Sequence, residues 1–228
     1  MIPVLLLAKN FLRQNRWLFL AFIGLPFLMG AFQWSPHHAT SPQDVAEIVQ
    51  QEMFYGVVVV TFLASSAIHN EKRSRRIVGV LSKGVSRRQY LLALLLGSAC
   101  FAVAYFGSVG AVLVWLLGPS DAVTSAASGL FVRGTVAALW AASAGLLWST
   151  FVHPFLAAAI ATGVTFAPLA LSHTNTLLTP VTGLLKDSND LVQAIPLSVV
   201  LVAIGEFAII FLIAALVFRR RDVTVNIE

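Results

Sequence analysis

The sequence is poor in charge and almost without cysteine. Only 11% of its 228 residues are Asp, Glu, Lys or Arg, whereas 58% are apolar. Soluble domains carry charge on roughly a quarter of their residues, so aqueous surroundings for most of the chain are excluded. The lone cysteine, Cys100, lies inside an apolar run, which excludes an internal disulfide and argues against redox chemistry. No Gly-x-x-x-x-Gly-Lys-Ser/Thr stretch is present, so the chain itself has no phosphate-cradling loop. No His-Glu-x-x-His or comparable spacing offers a metal site, and no Ser, His and carboxylate arrangement suggests a nucleophile, so neither catalytic nor metal-ligating residues are expected. The early apolar stretch is long for a signal peptide and no Ala-x-Ala follows it.

What the chain has instead is long apolar runs. Lipid is the natural solvent for these, and only helices or closed barrels satisfy their backbone in lipid. Runs of this length exceed the roughly 9–11 residues of a barrel strand. The expectation is therefore one all-α membrane domain over residues 1–228. An amphipathic helix over 3–16 comes first, with Lys9, Arg13 and Arg16 on one face and Val4, Leu7 and Phe11 on the other, as suits the membrane interface. Six spans follow at about 17–34, 42–69, 87–117, 129–151, 154–172 and 197–218. Trp17 and Trp34 bracket the first span and Pro26 is placed to kink it. Ser41-Pro42-Gln43-Asp44 reads as a helix start whose first turns stand clear of the membrane. Ser86 and Gln89 form a capping box opening the third span, and Gly118-Pro119-Ser120-Asp121 ends it. Within 173–196, the Leu- and Val-containing stretch broken by Pro180, Gly183 and Pro196 suggests short helices dipping into the outer leaflet.

Charge position fixes the orientation. Thirteen of the fifteen basic residues fall in three places: Lys9, Arg13 and Arg16; the seven Lys and Arg of 72–88; and Arg219, Arg220 and Arg221. Each abuts an apolar run, the pattern of cytoplasmic loops facing anionic lipid rather than of nucleic-acid binding. Both termini are thus expected inside. His69 and His153 then sit at inner ends and His37, His38 and His173 outside. Small residues four apart, at Gly107/Ala111, Ala141/Gly145, Ala157/Ala161 and Ala159/Gly163, suit close helix packing. Two ionisable residues within spans are functional candidates by depth. Arg133 is near enough to the outer interface to snorkel, and Glu206, about ten residues into the last span, has Arg133 as its expected partner.

The basic loop carries the most specific pattern. An acidic residue, Glu71, precedes Gly79 and the run Leu81-Ser82-Lys83-Gly84-Val85-Ser86-Arg87-Arg88-Gln89-Tyr90. With the interfacial helix and six spans, this resembles the membrane subunit of a type-2 ATP-binding cassette transporter, the exporter-type permease family. That family shows Leu-Ser-x-Pro-Val-Ser-Arg-x-x-Tyr/Val here; Gly84 stands in place of the proline, and a Gly-Lys usual just inside the third span is missing. The resemblance implies a non-enzymatic permease in the bacterial inner membrane, binding no cofactor itself. It would work with a second permease subunit, membrane lipids and a separate P-loop ATPase that binds ATP and magnesium. Glu71, Arg73, Arg75, Arg76, Gly79, Ser82 and Arg87 are the implied ATPase-coupling residues. The apolar spans favour a lipid-like or amphipathic cargo, and a scaffold, sensor or immunity component of the same fold without transport is the alternative.

Overall fold

The computed structural model describes residues 2–33, 42–73, 84–170 and 197–220. Seven helices account for their regular structure: α1 (Ile2–Gln14), α2 (Arg16–Gln33), α3 (Pro42–Arg73), α4 (Arg87–Leu117), α5 (Asp121–Trp148), α6 (Pro154–Ala170) and α7 (Leu197–Arg220). No strand occurs among the described residues. Four helical stretches, 47–70, 87–117, 121–148 and 197–220, are long and apolar enough to cross a membrane. The α1–α2 pair makes a fifth if it counts as one broken span. In α6 the apolar stretch is only Pro154–Ala167, short of the ~20 residues of a typical crossing. These are the dimensions of an integral membrane protein. The expected dipping helices of 173–196, Trp34, the helix-opening Ser41 and the basic Arg221 lie outside the described residues.

α1 and α2 meet at 70° around Asn15. Asn15 stabilises the elbow by donating its side-chain amide to the Phe11 carbonyl at 2.9 Å. The apolar stripe of α1 packs on protein: Val4, Ala8 and Phe11 are buried, while Leu5 and Leu6, beside the stripe, are exposed. A Cβ added at Gly97 of α4 would collide with the Phe11 ring, so the missing side chain is what lets α1 dock there. α2 continues through Pro26 without a break.

α5 is the axis of the bundle and packs against α3, α4, α6 and α7. Its interior face is small: Ala137, Ala138, Ala141 and Ala142 are fully buried. In lipid, helix association depends on close packing rather than on a hydrophobic driving force, and small residues permit it. Gly145 lies against Thr61 and Ser65 of α3, and Ala157 and Ala161 of α6 are fully buried. Two of the four small-residue pairs therefore mark interfaces. Of the other two, Gly107, Ala111, Ala159 and Gly163 are all exposed. Large rings fill the remaining gaps. The Phe106 ring fills the slots over both Gly56 of α3 and Gly134 of α5, and Phe19 meets Phe101 edge-on at 4.8 Å between centroids.

Helix ends follow the local chemistry. Ser86 accepts from the Gln89 N–H at 3.3 Å, and Gln89 accepts from the Ser86 N–H at 3.0 Å, the reciprocal box expected at the start of α4. Gly118 adopts a φ of 77° after α4. Helix α5 begins at Asp121, eight residues before the span predicted from 129, because Ser120 caps it by accepting from the Val123 N–H at 3.3 Å.

Candidate functional site

One end of the bundle gathers Arg87, Arg219, His69 and His153. The start of α4 and the end of α7 are tied by Arg87, whose guanidinium donates to the carbonyls of Arg219 at 3.0 Å and Phe218 at 3.4 Å. Those carbonyls belong to the last helical turn, which leaves its acceptors unsatisfied and favours a cation. One turn along α4, the fully buried Tyr90 stacks on Phe218, ring planes 19° apart. At the end of α3, His69 meets His153 of the α5–α6 turn edge-on, 5.3 Å between centroids. His153 also accepts from the Phe155 N–H at the start of α6, at 3.4 Å. The start of α4 is thus tied to the end of α7, and the end of α3 to the α5–α6 turn, where the basic loop leaves and re-enters the bundle. Of the implied coupling residues, Glu71 and Arg73 fall on the last turn of α3 and Arg87 on the first turn of α4. Arg75, Arg76, Gly79 and Ser82 lie outside the described residues.

Ionisable residues inside the bundle are distributed differently from expectation. Arg133 is buried, 4% exposed, rather than extended to an outer surface. Glu206 is half-buried one turn beyond Ala203, which packs against Val136 of α5. The carboxyl of Glu206 neighbours the Trp140 indole. The hydrogen bond does not close, since the buried indole N–H has no partner in bonding geometry among the described residues. Trp140 lies seven residues beyond Arg133, a rise of about 10 Å along the helix, so it is the indole that meets the carboxyl.

A third such residue is not among the candidates that sequence position singles out. Glu52, in the third turn of α3, is 1% exposed. The Tyr105 hydroxyl of α4 contacts its Oε2 and also its backbone carbonyl, the latter at 3.1 Å. Oε1 has no hydrogen-bond partner among the described residues. Glu52 also lines a small cavity of about 10 Å³, together with Pro26 of α2 and Val109, Val112 and Leu113 of α4. Glu47, Gln50 and Gln51 disguise Glu52 by making its surroundings look like a solvated helix end. The available signal is Gly56, one turn further on the same face, which leaves room for a large partner on the facing helix.

No group of three or more His, Cys, Asp or Glu able to hold a metal ion occurs among the described residues. No protein-family model matches the chain, and no characterised protein shows significant similarity to it. The functional reading therefore rests on the chain's own chemistry.

Proposed function

We propose that this chain is the membrane-spanning subunit of an ATP-driven exporter of the type-2 cassette class. It works with a second permease subunit and a separate P-loop ATPase and moves a lipid-like or amphipathic cargo. The observation that carries the reading is the Arg87 tie. A soluble motor gripping the loop between α3 and α4 pulls on the first residue of α4, and Arg87 passes that pull to the end of α7 through two hydrogen bonds. Coupling needs a continuous physical connection of this sort, and a basic loop serving only as a topology signal does not.

Two further features support it. The α1–α2 elbow, bent by 70°, suits a helix lying along the inner surface before the first crossing. Counting α2 and α6 as crossings, with 18 and 17 residues, uses the short end of the roughly 17–25-residue range. Six crossings leave both termini on one side, which in this reading is the cytoplasmic face of a bacterial inner membrane. Arg87, Arg88, Arg219 and Arg220 then fall on the cytoplasmic side, as positive charge should.

The test is the double variant Arg75→Glu, Arg76→Glu, which leaves five of the seven basic residues of the loop in place. The proposal expects normal insertion with loss of ATPase assembly or of coupled hydrolysis. Unchanged assembly and activity would reduce the loop to a topology signal.

A further inference from the structure

The contacts between Glu52 and Tyr105 do not balance if the carboxyl is ionised. A phenol carries one hydrogen to donate, and an ionised carboxylate carries none. Yet the Tyr105 oxygen lies in hydrogen-bonding contact with two oxygens of Glu52, Oε2 and the backbone carbonyl. An ionised Glu52 would have both oxygens share that one hydrogen, while its charge sat 1% exposed with Oε1 unpartnered among the described residues. One added proton resolves the arrangement: Oε2–H donates to the Tyr105 oxygen, and the Tyr105 hydroxyl donates to the Glu52 carbonyl. Oε1 then stays behind as a neutral buried acceptor, which is far less costly in apolar surroundings than a bare charge.

The surroundings supply little to offset a charge. Tyr105 is the titratable group in contact, and Tyr55 follows on the same helix as Glu52. α6 carries no ionisable side chain, α2 carries only Arg16 at its far end, and the remaining ionisable groups of α4 are Arg87, Arg88 and Tyr90 at its start and Cys100. On α5 the charged residue near this level is Arg133, adjacent to Gly134. The Phe106 ring fills the slots of both Gly134 and Gly56 there.

We propose that Glu52 is a proton-binding site that latches α3 to α4. With the helices packed as described, Oε2 holds a proton and the Glu52–Tyr105 pair is saturated. When the helices part, the carboxyl reaches water: the Oε2–H bond breaks, its electron pair stays on the carboxylate, and water takes the proton. One proton is released for each opening and taken up again on closing. This inference is independent of the exporter reading, since it needs only that α3 and α4 separate at some stage.

Infrared difference spectroscopy of the reconstituted protein tests it at neutral pH. Subtracting Glu52→Gln from the wild type should reveal the loss of one protonated-carboxyl C=O stretch. Loss of a carboxylate antisymmetric stretch instead would overturn the proposal. Tyr105→Phe keeps the glutamate and decides the matter even if Glu52→Gln fails to fold. It should shift the same C=O band, because the acceptor of the Oε2–H bond is gone, and an unchanged protonated-carboxyl region would overturn the proposal.

Discussion

Tyr105 on α4 holds Glu52 on α3 at two points, side chain and backbone, across a packed helix interface. Around it the interior is built from Val57, Phe106 and Val109, so the pair is a polar fastening in apolar surroundings. Removing the hydroxyl leaves a buried carboxyl without its partner, which costs about 1–3 kcal/mol. Tyr105→Phe should lower the melting temperature in detergent, whereas Glu52→Gln should lower it less, since an amide N–H replaces the donor to the tyrosine oxygen. Equal losses would show that the pair is not acting as a hydrogen-bonded unit.

The glycine slots make a second, purely steric prediction. A Cβ at Gly56 would lie 2.5 Å from the Tyr105 ring and 2.7 Å from Phe106. Gly56→Ala must push α3 and α4 apart, at about 1–3 kcal/mol for overpacking. A methyl group added at Gly24 would meet nothing within 4 Å, so Gly24→Ala should be neutral or stabilise by up to ~1 kcal/mol through helix propensity. Thermal unfolding of the two variants side by side checks the difference in sign.

At the opposite end of α4, Arg87→Ala removes the donors to the last carbonyls of α7. Hydrogen exchange in the final turn of α7 should accelerate, because its helical bonds fray when the terminal acceptors lose their partner. Arg87→Lys should recover part of the protection, keeping the charge but not the planar fork. Identical exchange in wild type and Arg87→Ala would remove the tie from the mechanism.

Topology can be read by single-cysteine labelling on a background lacking Cys100, the chain's one cysteine, so that each introduced thiol is the only one present. Cysteines at Gln43 and Asp187 should be modified by an impermeant reagent from outside, and one at Ser82 should not. Outside labelling at Ser82 would invert the proposed orientation.

Much of the architecture is legible in the sequence because lipid makes it so. Apolar length alone locates the long helices, and the Ser86–Gln89 box locates the start of α4 to the residue, since reciprocal caps depend only on neighbours in sequence. The start of α5 is misplaced by sequence for an instructive reason. Gly118-Pro119-Ser120-Asp121 reads as a terminator, but its Ser120 also caps the following helix, and Thr124, Ser125 and Ser128 hide that helix's first turns behind polar side chains. Single-residue depth is harder. Position marks Glu206 as a candidate, yet its neighbour is Trp140 rather than Arg133, because relative helix registry decides which residues meet. Glu52 is invisible for the same reason: only the facing position of Tyr105 distinguishes a buried carboxyl from one in a solvated helix end.

The central claim is that this chain transmits the work of a partner ATPase through the basic loop, and purification of the tagged chain from its native membrane tests it most directly. A P-loop ATPase should copurify in a fixed ratio and hydrolyse ATP. The Arg75→Glu, Arg76→Glu chain, inserted at normal levels, should lose that subunit or the coupling of its hydrolysis to transport. A chain recovered intact from the membrane with no nucleotide-hydrolysing partner would contradict it.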